Sequence, residues 1–106
     1  MIKDILNRAG FVEGKTYKET RFIKPPKETY VVYMDSFSAR GADSRNLVKD
    51  HDYTIELYSD VPDQEAEARI ESNLDFFQIE YEKSERYWLQ SEQMFQVVYN
   101  FNIIQK

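Results

Sequence analysis

From His51 to Ile104 the chain follows one continuous amphipathic plan, and that plan leaves few folds open. HDYTIELYS alternates so that Tyr53, Ile55 and Leu57 share a face, a proline-started helical segment follows, and IEYEKSERYW and MFQVVYNFNII add two long period-two runs. Strand, helix, strand, strand is the order of a sheet with one helix laid across it. The same stretch holds no evident catalytic constellation, so function is to be sought in surfaces and assembly.

At 106 residues the chain is expected to form one domain, 1–106, able to bury about 65% of its unfolded surface without a metal or disulfide. Hydrophobic residues make up 42% and aromatics 15%, whereas a disordered chain would be poor in aromatics. The absence of cysteine excludes a disulfide framework and thiolate zinc sites, and it is neutral about compartment. No apolar run approaches the roughly 18–20 residues needed to span a bilayer, and MIKDILNRAG does not read as a signal peptide. A soluble chain, intracellular when made and not bound to a membrane, is expected. A net charge of −5 opposes general binding to phosphate backbones.

The first half is less regular. Ile2, Ile5, Leu6 and Ala9 fall at helical spacing, Gly10 stands where a left-handed residue would end the helix, and Phe11 can fold back onto Leu6. Thr20 to Lys24 suggests a short edge strand cut off by Pro25 and Pro26. TYVVYMD, residues 29–35, reads as a strand with Tyr30, Val32 and Met34 on one side. The residues from Ser36 to Asp50 lack periodicity and predict a long loop, 36–50. Its Arg40, Arg45 and Lys49 make it slightly basic on an acidic protein, which suits a contact arm. After Tyr58, Ser59 or Asp60 can cap a helix, Pro62 suits its first turn, and Asp63, Glu65 and Glu67 favour its positive end. Ala66, Ile70, Leu74 and Phe77 form its apolar stripe, so Glu67, Glu71 and Asp75 are expected in solvent. The predicted class is α+β, a mostly antiparallel sheet of four to five strands with one main helix packed on it and a short N-terminal helix.

Chemical motifs are outweighed by simpler readings. AGFVEGKT, residues 9–16, satisfies a relaxed phosphate-loop pattern, but that chemistry needs a buried strand before it and a helix after it, and the order here is helix, turn, short segment. Lys15 reads as an exposed turn residue. His51, the only histidine, lies between Asp50 and Asp52, which point to the opposite face of a strand and cannot orient it; no nucleophile is identifiable. One histidine with scattered carboxylates makes no metal site. Glu80, Glu82 and Glu85 lie beside Lys83 and Arg86 and read as a solvated hairpin face rather than an acid–base pair. Tyr30, Tyr33, Tyr53, Tyr58, Tyr81, Tyr87, Trp88 and Tyr99 could form a stacking platform for single-stranded nucleic acid, but the basic-Gly-aromatic signature of an RNA-recognition sheet is missing. No catalytic residue, cofactor or metal is expected.

YVVYMDSF, the polar loop, HDYTIELYSD, PDQEAEARIESNLD, FQIEYEKSERYW and SEQMFQVVYNF, taken in order, resemble the small tail-completion and head-tail connector proteins of long-tailed bacteriophages. The similarity spans roughly residues 29–101 and rests on arrangement, above all on the hairpin IEYEKSERYW to SEQMFQVVYNF. The resemblance implies a virion structural protein without an active site, made in the bacterial host. It would complete or cap the tail tube and join it to the capsid connector as one subunit of a homo-oligomeric ring, often a hexamer. Its partners would be the major tail tube protein and head-completion or connector proteins, with DNA passing through the lumen without specific binding. Large aromatics and ordering loops dominate interfaces, which makes Phe37, Arg40, Arg45, Leu47, Tyr58, Tyr87 and Trp88 the candidate assembly contacts. The alternative from a different class is a small module binding single-stranded nucleic acid or another ligand through an aromatic sheet face.

Overall fold

The computed structural model describes residues 1–40 and 48–105, except the side chains of 38–40, 48, 49 and 105. Its elements are α1 (Ile2–Arg8), β1 (Tyr17–Glu19), β2 (Tyr30–Arg40), β3 (Val48–Ser59), α2 (Gln64–Phe76), β4 (Tyr81–Lys83), β5 (Tyr87–Leu89) and β6 (Met94–Gln105). The α+β class is as expected, but the sheet has six strands and is mixed. Its order is β1-β2-β3-β6-β4, with β5 also on β6, and β1 runs parallel to β2 while every other pairing is antiparallel.

Both helices lie on one face. Register places Val31, Leu57 and Val97 in one row, Tyr33, Ile55 and Tyr99 in the next, then Tyr53 and Phe101, and all are buried beneath Ile5, Leu6, Ala66, Ile70 and Leu74. Tyr30 and Val32 share the other side, as alternation predicts, yet both are also buried. The segment between β1 and β2 covers that end, with Phe22 set edge-on to Tyr30 at 5.5 Å between centroids.

The helix ends follow local chemistry. Gly10 has φ +94°, its amide bonds Asn7, and the Phe11 amide reaches back to Leu6, so α1 ends in a Schellman motif as Gly10 predicts. Gln78 at φ +57° makes the same pair of bonds at the end of α2, without glycine to mark it in sequence. Arg69 then donates from Nε to the Ala9 carbonyl at 2.8 Å, bringing a cation to the negative end of α1. The cap of α2 is Asp63 rather than Ser59 or Asp60; it accepts from the Ala66 amide at 3.0 Å and from the Thr29 hydroxyl at 2.7 Å. The Ala66 amide above all, with Thr29, outweighs burial and holds the Asp63 carboxyl below its ordinary range. Pro62 lies just before this cap, outside the first turn.

Three other expectations are corrected. The short strand is Tyr17–Glu19, not Thr20–Lys24: Tyr17 is fully buried with its hydroxyl donating to Asn7 at 2.9 Å, and Thr20 at φ +71° turns the chain out of the strand. The predicted loop 36–50 is largely sheet, because β2 runs to Arg40 and β3 begins at Val48, where small and charged residues are carried by pairing with neighbouring strands. Residues 41–47 lie outside the described residues. IEYEKSERYW is not one strand but two, β4 and β5, both paired to β6.

Deleting the Leu74 side chain beyond Cβ removes buried contacts under both helices and is expected to cost about 2–5 kcal/mol in urea denaturation. Gly10→Ala would meet nothing closer than Arg69 Nε at 3.7 Å, so its expected cost of about 1 kcal/mol is backbone strain alone.

Candidate functional site

The break between β4 and β5 is a β-bulge with a consequence for the surface. Lys83 opposes Tyr99, Ser84 closes the next pair by donating its amide to the Val98 carbonyl and accepting the Val98 amide on Oγ, and Tyr87 opposes Gln96. Glu85 and Arg86 therefore stand together against Val97, and the extra residue shifts the inside–outside phase by one. Lys83 and Arg86, three apart, both reach the helix side. Arg86 forks onto Glu67 at 2.6 and 3.1 Å, and Lys83 Nζ lies 2.8 Å from Glu67 and 2.7 Å from Glu71.

Glu67, expected in solvent, is thus 3% exposed. Its partners make that burial tolerable, since a buried carboxylate needs both charge and hydrogen bonds. Burial pushes the Glu67 carboxyl up, but Arg86 and Lys83 outweigh it and hold the group below the ordinary glutamate range. Glu71 completes the cluster by accepting from Tyr99 Oη at 2.7 Å, while Asp75 is exposed as expected. Burial first, then this acceptor, pushes the Tyr99 phenol up.

The clamp ties the outer strands to α2, and one of the candidate groups sits beside it. Tyr87 and Trp88 on β5 are 51% and 45% exposed, with Trp88 edge-on to Phe95 at 5.0 Å. Phe37 lies at the other end of the sheet: it pairs with His51, whereas Trp88 pairs with Phe95 opposite Ser59. Eight residues along β3 separate those positions, about 26 Å. Phe37 is 51% exposed and leans on the His51 ring at 4.7 Å. Arg40 is the last residue of β2, with its side chain outside the described atoms, and Arg45 and Leu47 lie outside the described residues. Tyr58 belongs to neither end; it is half-buried on the face away from the helices, stacked on Tyr30 at 5.1 Å and donating to Glu56 at 2.8 Å. The candidate contacts thus divide among three places.

On the long strands β2 and β6, two lengths of edge have no strand partner among the described residues. β1 pairs only with residues 31–33 of β2, leaving 34–40, and β4 and β5 leave 102–105 of β6. Unpaired edges of this kind accept strands from other chains. The open face between them is acidic and amide-rich. Asn102 donates to Asp50 and, at 2.8 Å, to Asp52, Thr54 donates to Asn100 at 2.8 Å, and Glu82 is exposed.

His51 has a partner that sequence reasoning missed. Its Nδ1 donates to both carboxylate oxygens of Asp35 at 2.9 and 3.0 Å, and its ring stacks on Tyr53 at 5.4 Å. It lies inside β3, three residues from its start. Asp35 pairs with Tyr53 and so is the diagonal cross-strand neighbour of His51; only the register of β2 on β3 brings the two together, and the aperiodic residues 36–50 carry no sign of that register. No side-chain nucleophile is hydrogen-bonded to the ring among the described residues. Glu80, Glu82 and Glu85 are exposed at the edge. In the 9–16 segment, the amides of Gly14, Lys15 and Thr16 bond Tyr17 and Val12 carbonyls and the Val12 amide bonds Thr16 Oγ1, which turns these donors inward from any phosphate. No helix among the described residues is long and apolar enough to cross a membrane.

No protein-family model and no curated protein matches the chain. Among solved structures its fold is similar to a chain in the virion of a native gene transfer agent particle, with a TM-score of 0.59 and 14% sequence identity. The match covers 94% of this chain and 82% of that one. At this identity the likeness establishes the fold.

Because the Glu67 carboxyl is held low when folded, its stabilising contribution is complete above its ordinary value of about 4.5 and is lost as pH falls through the lower folded value. Glu67→Gln should therefore lower the urea midpoint at neutral pH, and the gap from wild type should close as pH falls below the folded value of the Glu67 carboxyl.

Proposed function

We propose that the chain is a structural subunit of a phage-like particle that works by assembly rather than catalysis. The observation that carries this reading is the likeness of almost the whole fold to a chain of a gene transfer agent virion. The finer proposal is that it completes or caps the tail tube and joins it to the capsid connector, as one subunit of a ring of about six, in contact with the major tail tube protein and with head-completion or connector proteins.

The surfaces support a ring more than a two-fold pair. The apolar groups at Phe37 and at Trp88 differ in character and sit at opposite ends of one sheet. A contact joining unlike patches is heterologous, and such contacts close into rings when the rotation permits. The open face, with Asp50, Asp52, Glu56 and Glu82, suits a lumen that DNA passes without sticking. Those carboxylates also weigh against the single-stranded nucleic-acid module, as does the burial of Tyr33, Tyr53 and Tyr99 in the core.

Mass spectrometry of particles purified from the encoding host should find the protein at a few copies per particle. Phe37→Ala and Trp88→Ala should each reduce its incorporation severalfold while leaving the unfolding midpoint of the free protein within the roughly 0.5 kcal/mol typical of surface changes. Absence from particles despite abundance in the lysate, or tight salt-sensitive binding of single-stranded DNA, would overturn the proposal.

A further inference from the structure

On the sheet face away from the helices, the segment between β1 and β2 overhangs a cavity of about 200 Å3. Three aromatic rings and two carboxylates meet there. Tyr30 stacks on Tyr58 at 5.1 Å and meets Phe22 nearly at right angles at 5.5 Å, and Glu56 and Glu92 are among the other lining residues. Both carboxylates act electrostatically on the Tyr30 phenol. Glu56 accepts from Tyr58 and Glu92 accepts from Ser91, but neither has a cationic partner among the described residues.

Tyr30 marks the cavity as more than a surface dent. It is 6% exposed, yet among the described residues its hydroxyl has no hydrogen-bond partner and no unpartnered side-chain oxygen is sealed from solvent. The phenol oxygen therefore opens into the space that it lines. A nearly buried ring with an unused oxygen, a second ring stacked on it and two carboxylates without a cationic partner among the described residues call for a planar cation that can stack and donate several hydrogen bonds at once. The volume lies below the roughly 300–1,000 Å3 of small-molecule sites and matches one side chain.

We propose that this cavity is a recognition pocket for an arginine side chain presented by another polypeptide, whose guanidinium lies against the open part of Tyr58 and donates to Tyr30 Oη, Glu56 and Glu92. Arg21 also lines the space, but it forms neither an ion pair nor a ring contact among the described residues. The pocket does not depend on the particle reading and can be tested on the free chain.

The test is an NMR titration of the full protein with N-acetyl-arginine amide, following the Phe22, Tyr30 and Tyr58 rings, with the neutral isostere N-acetyl-citrulline amide and free tetramethylammonium as separate arms. Saturable shifts confined to those rings are expected for the arginine amide. Citrulline amide, and the arginine amide against Glu92→Gln or Glu56→Gln, should bind about tenfold more weakly, a loss of about 1.4 kcal/mol. Equal binding of citrulline amide, failure to saturate, or an unchanged response in both variants would overturn the proposal. Tighter binding of tetramethylammonium would assign the pocket to free cations instead. Ring shifts in Arg21→Gln as large as those caused by ligand would mean that the chain's own arginine fills it, which equally overturns it.

Discussion

The fold depends on a mismatch of lengths between its two layers. The central strand β3 has 12 residues, about 40 Å of extended chain, whereas α2 has 13 residues and spans about 20 Å. Helix α1 adds two turns beside it. Two short helices can bury the apolar rows from Val31 to Phe101, but they cannot cover the full length of the sheet. The overhang at the Phe37 end is held by strand pairing, by the Asp35–His51 bond and by rings leaning on one another. Exposed aromatic groups and unpaired strand edges follow from this geometry, because nothing within the described chain is long enough to cover them.

The opposite end is finished by a different device. There the outer strand is short and interrupted, and a single extra residue at the bulge turns Arg86 to the same side as Lys83. Without that shift Arg86 would face away from α2, and Glu67 would be left buried with one cation instead of two. The bulge and the buried carboxylate are therefore one feature, since each is tolerable only with the other. The rigidity it confers holds β5, and with it Trp88, in place at the sheet margin.

These surfaces suit a protein whose work is contact. The helix face is used up in folding, and the groups left over are an acidic amide-rich face, two open edges, an apolar patch at each end and a small aromatic cavity lined with carboxylates. They differ in chemistry from one another. The cavity is the most specific of them, because it asks for one chemical group rather than for apolar area in general.

Alternation in HDYTIELYS and MFQVVYNFNII, the stripe Ala66–Ile70–Leu74 and the glycine after α1 determined, by sequence alone, the α+β class, the inward face of the main sheet and two of its helices. Those signals are local, since burial on one face writes its period directly into neighbouring residues. The extension of β2 and β3 into SFSAR and VKD, the parallel β1, the bulge, the Asp35–His51 pair and the burial of Glu67 were decided only by tertiary structure. In each case the stabilising partner is distant in the chain: a cross-strand amide, a diagonal carboxylate, or a cation on another element. Polar residues held by such partners look solvent-exposed in sequence, because periodicity records what is apolar and carries no record of which charge will find which.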